Sequence, residues 1–438
     1  MAFGVSEVSL AQVERAHPVA ELGKAEMVAS EPDADFHPFD DPWPESIMVD
    51  AKRGVIRDQG TDVSGWDQRP AFLGDLPVTA EDRADAEVWT KAYAKPIDIR
   101  FEKRGAYVVS FDTTANQGFA QTTKGSDAPV QKFKFISAEI DPLPSPKADL
   151  PKDTLRVVIQ RTSFVFYEAF LDNEKNKGVL PHDKVRGLAL VMPGLFGTPD
   201  PVIDVMVRRL RQDRWCVLRL LSQSSRFTEH EEFHIDPSRD LDLAGKRIAS
   251  LLTRRAADCA YAVQAAFDHV LSTRPELAVK PRIAMGGSAG AITMPTIIAK
   301  EPHKYSAIVM VGGGCDFWLL NERSNYRRGV DAFRVKWIGR DPTPDEERTL
   351  DTAYLRNAPL DSFHTAKALH AKPVFLFYGT LDRAVQTPLC DLLWERLGRP
   401  ERQTVNFGHE MLFASLAFHL TDITNWIAKA TEGKKAGP

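Results

Sequence analysis

The sequence has few cysteines, no excess of one charge sign, no apolar run of membrane length and no internal repeat, and each lack removes a class of function. Its four cysteines, Cys216, Cys259, Cys315 and Cys390, are widely scattered and show no Cys-x-x-Cys spacing, which leaves a thiolate zinc site or a dithiol redox motif without support. They read as buried thiols, since a disulfide between any two would need their Cα atoms within about 7 Å. With 56 basic against 60 acidic residues the formal charge is only -4. No global field therefore draws the chain to nucleic acid or to an anionic membrane, and a neutral or mildly polar small molecule suits it better as a partner. The apolar stretches are broken by charges well before transmembrane length, so no membrane span is expected. The start, Met1-Ala2-Phe3-Gly4-Val5-Ser6-Glu7, has neither the basic nor the apolar region of a secretory signal. A cytoplasmic location follows if the chain is full length, a secreted or periplasmic one if a leader has been removed. None of these features assigns an oligomeric state.

What is present is material for a large core. A chain of 438 residues with 43% hydrophobic and 26% charged content reads as one big soluble domain plus extras. Residues 1–100 are poorly periodic, with clusters such as His37-Pro38-Phe39-Asp40-Asp41-Pro42-Trp43-Pro44, and are expected to form an N-terminal extension. The catalytic domain is expected to span 101–438. Its first part, 101–172, carries short β-rich runs between turn residues: Ala106 to Phe111, Phe133 to Ile136 and Leu155 to Ile159. Antiparallel strands are the natural interpretation.

Beyond Arg186, compact apolar runs alternate with long amphipathic segments, the pattern of βαβ units around a parallel sheet buried on both faces. The expected strands are Leu188 to Met192, Cys216 to Leu220, Ile283 to Met285, Ala307 to Val311, Val374 to Tyr378 and Thr404 to Phe407. A long helix between the second and third would turn Cys259, Val263, Phe267 and Val270 to the sheet, and a closing helix would bury Leu412, Leu416, Leu420, Ile423 and Ile427. The stretch 316–370, rich in aromatic and basic residues and without an obvious strand, is expected to be a helical cap.

The chemistry concentrates on Gly286-Gly287-Ser288-Ala289-Gly290. A serine hydroxyl is a poor nucleophile until a base and an exposed geometry activate it. Here an apolar strand end precedes the serine and a helical pattern follows it. Gly286 and Gly290 flank it in the G-x-S-x-G spacing, in which a strained strand-to-helix turn needs small neighbours.

Three further features follow in order. Pro193-Gly194-Leu195-Phe196-Gly197 after the first parallel strand can free backbone N–H groups for a developing oxyanion. Leu195, with Phe196 second, and Ala289 are the expected donors, and Pro193 stands where a histidine is usual. Gly379-Thr380-Leu381-Asp382 ends an apolar strand, so Asp382 can orient an imidazole, with Asp316 after Gly312-Gly313-Gly314-Cys315 as its rival. Of eleven histidines, His409 in Phe407-Gly408-His409-Glu410 alone sits at a strand end beyond Asp382. The candidate triad is Ser288, Asp382 and His409.

On these motifs, residues from about 154 to 430 resemble the α/β-hydrolase superfamily, in its serine esterase (carboxylesterase-like), dienelactone hydrolase or serine aminopeptidase-like branches. The resemblance implies an α/β fold with a mostly parallel central sheet flanked by helices, a serine triad, no cofactor or metal, and acyl transfer from a small-molecule ester to water. An acyltransferase or a serine peptidase would use the same triad, and a non-catalytic binding protein could share the fold.

One motif competes. His230-Glu231-Glu232-Phe233-His234 satisfies H-E-x-x-H, which on a helix would set two imidazoles on one face for zinc, with Glu231 beside the bound water. Its surroundings, a polar loop before it and Asp236-Pro237 after it, favour a loop instead.

Overall fold

The computed structural model describes residues 154–169, 180–194, 200–221, 231–327, 333–370 and 372–433, with the backbone of five further strands between 46 and 141. The oxyanion candidates Leu195 and Phe196, His230 of the competing motif, and most of the expected N-terminal extension lie outside the described residues.

The β-rich runs before residue 172 pair antiparallel. They are β1 (Ser46–Asp50), β2 (Asp98–Glu102), β3 (Ala106–Ser110), β4 (Phe119–Gln121), β5 (Val130–Asp141) and β6 (Thr154–Tyr167). β5 and β6 form a long ladder from Val130↔Tyr167 to Asp141↔Arg156, β1 pairs with the first part of β6, and β2 with β3 forms a separate ribbon.

Beyond Arg186, strand and helix alternate. β7 (Gly187–Met192), α1 (Asp200–Gln212), β8 (Trp215–Leu220) and β9 (Glu231–Ile235) are followed by the long α2 (Leu241–Thr273). Then come β10 (Arg282–Gly287), α3 (Ala289–Ala299), β11 (Tyr305–Val311) and α4 (Phe317–Arg323). β12 (Phe333–Trp337), α5 (Pro344–Asn357) and α6 (Ser362–Thr365) lead to β13 (Val374–Gly379), α7 (Thr387–Arg396), β14 (Glu401–Val405) and α8 (His409–Ala430).

The main sheet runs β14-β13-β11-β10-β7-β8-β6-β5-β4. From β14 to β8 the neighbours are parallel, and β6 turns antiparallel against β8. Both faces are covered, which is why the strand runs read as continuously apolar rather than alternating. Leu188, Leu190 and Met192 of β7 pack with α2 and α3 residues such as Ile248, Val263 and Met294. Ala189 and Val191, on the opposite face, pack with Met206 and Leu210 of α1 and Leu416 and Ile423 of α8. The helical stripes expected from spacing are buried as anticipated, Cys259, Val263, Phe267 and Val270 on α2 and Leu412, Leu416, Leu420, Ile423 and Ile427 on α8. Each fully buried Leu, Ile or Phe contributes on the order of 2 kcal/mol against the unfolded chain.

β7 connects to β8 on one side, and the chain then crosses back so that β10 lies on the other side of β7. The carboxyl ends of β7 and β10 therefore adjoin at a topological switch point, with Met192 opposite Gly286, and such points open a crevice for ligands.

The segment between β11 and β13 holds helices, as expected, but also β12, which the sequence did not suggest. β12 pairs parallel with β9, Phe333 to Trp337 against Glu231 to Ile235. Phe333 and Val335 alternate inward, and Trp318 stacks on Phe333 at 5.8 Å while Phe233 meets it edge-on at 6.0 Å. Thr343 and Glu346 close a capping box at the start of α5, with Pro344 at its first position. One carboxylate closes the whole excursion. Asp361 accepts the N–H groups of Asp316 at 2.9 Å, Phe317 at 2.7 Å and Phe363 at 2.8 Å, and the hydroxyl of Tyr354 at 2.6 Å.

Candidate active site

Ser288 stands between the last residue of β10 and the first of α3, at the switch point, with φ 50° and ψ -121°. That conformation is costly for a residue with a Cβ and persists only where its surroundings impose it. The Ser288 N–H donates to Val311 O at 2.9 Å, fastening the bend to the end of β11, and the Ser288 carbonyl accepts the Ile292 N–H at 2.8 Å, starting the helix. The flanking glycines are required by contact. A Cβ on Gly290 would lie 2.6 Å from the carbonyl oxygens of Met192 and Pro193, and one on Gly286 would lie 2.8 Å from Gly290.

His409 opens α8, directly after the loop that follows β14. Its Nε2 lies 3.0 Å from Ser288 Oγ and its Nδ1 lies 2.6 Å from Asp382 Oδ2. Asp382, at the end of β13, is buried, and its Oδ1 accepts the N–H groups of Ala384 and Val385 at 2.8 Å each. Nδ1 faces the carboxylate and Nε2 the serine hydroxyl, the arrangement in which a proton on Nδ1 would leave Nε2 free to accept from Oγ. Ser288 itself is half-buried.

Ala289 is the first residue of α3, where an N–H has no acceptor within the helix and lies at the positive end of the helix dipole. Gly194 is buried beside the elbow, just ahead of the stretch that holds Leu195 and Phe196.

Asp316, the rival carboxylate, is committed elsewhere. Its side chain caps α4 by accepting the Leu319 N–H at 3.0 Å. Burial, with the charges of Asp361 and Asp351 after it, holds its carboxyl well above the usual range. The competing zinc motif loses its premise: residues 231–235 are strand β9, not a helix. His234 lies in that strand, and its motif partner His230 lies outside the described residues. His234 Nε2 instead lies 2.6 Å from Glu232, whose other oxygen is 2.8 Å from Lys336 Nζ. Among the described residues no cluster of three His, Cys, Asp or Glu is placed to hold a metal, and no helix is long and apolar enough to cross a membrane.

Two residues beside His409 were not anticipated. Phe413, one turn along α8, meets the imidazole at 5.1 Å and 67°. Tyr326 meets it at 5.8 Å and 83°, and the Tyr326 hydroxyl donates to Glu410. That hydrogen bond, the largest cause, holds the Glu410 carboxyl below its ordinary range, while burial and then the same bond push the Tyr326 phenol up. The i, i+4 spacing of His409 and Phe413 on a helix was a usable signal, whereas nothing local to Tyr326 points across 83 residues to His409.

No family model matches the chain. No curated protein matches it either. Solved structures similar to it include Est1E from Butyrivibrio proteoclasticus, 14% identical with TM-score 0.37, covering 61% of this chain and 96% of that one. The Pyrococcus furiosus esterase Pf2001 is 13% identical with TM-score 0.38, covering 62% and 88%, and the esterase domain of a Rhodothermus marinus protein is 14% identical with TM-score 0.36, covering 67% and 98%. The strand order, the switch point between β7 and β10 and the strand-turn-helix at Ser288 are features of this chain itself. The chain has the α/β-hydrolase fold.

Proposed function

We propose that the protein is a serine hydrolase that cleaves carboxylic esters through an acyl-enzyme, with Ser288 as nucleophile, His409 as general base and Asp382 as the carboxylate that orients it. The observation that carries this reading is the unbroken pair of hydrogen bonds, 3.0 Å from Ser288 Oγ to His409 Nε2 and 2.6 Å from His409 Nδ1 to Asp382. As Ser288 Oγ bonds to the ester carbonyl carbon, its proton passes to His409 Nε2, and the imidazolium is stabilised by Asp382. The carbonyl oxygen becomes an oxyanion facing the Ala289 N–H, with the Leu195 and Phe196 N–H groups as the proposed partners. Collapse breaks the C–O bond to the alcohol, which leaves with the proton from His409. Water, deprotonated by His409, then attacks the acyl carbon, and as the bond to Ser288 Oγ breaks the proton passes from His409 to Oγ and the acid leaves.

Within the segment 316–370, Phe317, Trp318, Phe333 and Tyr354 are buried in the core and carry no information on the ester. The apolar rim of the triad says more. Leu381 beside Asp382, and Phe407 and Met411 two residues either side of His409, are exposed and suit an ester with an apolar acyl or alcohol group. Transfer of the acyl group to an alcohol instead of water uses the same machinery, and product analysis with competing alcohols separates the two.

The test is to treat wild type and Ser288→Ala with a fluorophosphonate probe while assaying short- and medium-chain nitrophenyl esters. Wild type is expected to be labelled and active, the variant neither. Labelling or hydrolysis that survives the substitution overturns the proposal.

A further inference from the structure

We infer that Tyr326, tethered by Glu410, is a positioning residue for His409: it holds the imidazole from the segment after α4 and supports the imidazolium formed during acylation. The inference rests on the serine-hydrolase reading above.

His409 opens a helix, and the two residues after it, Glu410 and Met411, are both exposed. Its own side chain is nevertheless only 8% exposed. Two aromatic rings make the difference. Phe413 is fixed by the core on its helix face, where its ring also fills the space beside Gly287. Tyr326 has no such support, being half-buried on an irregular segment. Its place is set by three polar contacts. The hydroxyl donates to Glu410, the Asn325 N–H donates to Arg383 O at 3.0 Å, and the Tyr326 N–H donates to Ser324 Oγ at 3.2 Å.

Arg383 follows Asp382 directly, so the strand of chain that carries Tyr326 is fastened to the loop that carries the triad carboxylate. Gln386 reinforces that link through its Nε2, which donates to Arg323 O at 2.6 Å. Tyr326 and Asp382 therefore reach the imidazole from one fastened unit, the phenol ring against the ring and the carboxylate against Nδ1.

Among the described residues, the charged or titratable groups that face His409 are Asp382 from the loop after β13, Glu410 from α8 and Tyr326. Arg327, next to Tyr326, is paired with Glu322 at 2.9 Å, and Phe413 and Gly312 bring no charge. At 83° one of the two rings presents its edge to the other's face, and an aromatic face within about 6 Å of a forming cation stabilises it. A carboxylate beside it does the same, so Glu410 serves both as tether and as a second negative charge near the imidazolium.

Four variants test this with the full chain: Tyr326→Ala, Tyr326→Phe, Glu410→Gln and the double Tyr326→Phe/Glu410→Gln, each checked for folding by circular dichroism. Tyr326→Ala is expected to lower kcat for a nitrophenyl ester and the rate of fluorophosphonate labelling by about tenfold, the upper range for loss of one aromatic pair, with KM moving less than twofold. Tyr326→Phe keeps the ring without its tether and is expected to recover part of the rate. Glu410→Gln removes a negative charge beside the imidazolium, so the acidic limb of the kcat/KM profile is expected to move to lower pH. Because tether and acceptor form one bond, the double variant should be no slower than the slower single variant.

Tyr326→Ala within twofold of wild type in kcat and labelling rate overturns the inference, as does a loss confined to KM. If Tyr326→Ala does not fold, the other three variants decide: additive losses with an unmoved acidic limb overturn it. The serine-hydrolase reading fails separately, by labelling that persists in Ser288→Ala.

Discussion

His409 Nδ1 lies 2.6 Å from Asp382 Oδ2, and the carboxylate that holds the imidazole is itself held, its other oxygen accepting the Ala384 and Val385 N–H groups at 2.8 Å each. A carboxylate fixed at both oxygens cannot rotate away from the ring. In the proposed mechanism it favours the tautomer with the proton on Nδ1, which leaves Nε2 open to Ser288.

Asp382→Asn removes that selection while keeping the shape. The amide can present its N–H₂ to Nδ1 and so favour the wrong tautomer, and a loss of about 10³- to 10⁴-fold in kcat is expected with an unchanged circular dichroism spectrum. Asp316→Asn is expected to leave kcat within twofold, which separates the two carboxylates in one assay.

Asp316 bears on stability instead. Its folded-state carboxyl is raised, by burial first and then by Asp361 and Asp351. A group that binds its proton more tightly when folded contributes stability that is complete below the ordinary carboxylate pKa near 4 and is lost as pH rises through the raised value. Asp316→Asn keeps an acceptor for the Leu319 N–H and removes the titration. Melting curves across weakly acid to weakly alkaline pH should therefore fall less steeply for the variant than for wild type, and parallel curves would contradict the assignment.

Gly290→Ala tests the elbow. The added methyl would have to sit 2.6 Å from two carbonyl oxygens at the end of β7. Overpacking of this kind typically costs about 1 to 3 kcal/mol. A lowered Tm is expected, together with a fall in fluorophosphonate labelling larger than the loss of folded protein explains. An unchanged Tm would mean that β7 and α3 can separate without cost.

The four thiols should be silent. All are buried, burial pushes Cys216 up to about 11, and it raises Cys315 and Cys390 as well. Iodoacetamide at neutral pH is expected to modify none of them in the native protein within the time that modifies all four in denaturant, as counted by intact mass.

Chelation should also change nothing. The proposed steps need no metal, and His234 is engaged with Glu232, so a chelator is expected to leave ester hydrolysis intact and His234→Ala to keep wild-type kcat. Activity lost to the chelator and restored by zinc would contradict both expectations.

The three side chains that the His409 hydrogen bonds join, the proposed triad, were legible in the sequence because each sits next to a local signal: Ser288 between glycines at a strand-to-helix turn, Asp382 after Val374 to Gly379, and His409 just before an apolar helical stripe. The sequence carried the parallel strands for a similar reason, since a strand buried on both faces is an apolar run whatever its neighbours. β14 is the exception that shows why, for Glu401, Arg402 and Gln403 belong to an edge strand that needs only one partner, and the expected strand was placed too late, at Thr404 to Phe407. β9 and β12 were hidden more deeply. Glu231 to Ile235 carries two acids and a histidine, and it is a strand only because Phe333 to Trp337, about a hundred residues away, runs alongside it. Tyr326 was visible as one aromatic in a crowded stretch, and its contact with His409 depends on the loop that Arg383 anchors.

The fourfold grip of Asp361 has a consequence for how such a protein can change. Because Asp316 and Phe317 at the start of the excursion and Phe363 at its end hang from one carboxylate, the two ends meet at a single clasp, while β12 against β9 and Tyr354 on the same carboxylate tie the middle to the rest of the fold. Tyr326 lies on that stretch, whereas Ser288, Asp382 and His409 do not. Chimeras cut at 316 and 361 would therefore exchange what borders Ser288, Asp382 and His409 only if the new segment also supplies a partner strand for β9.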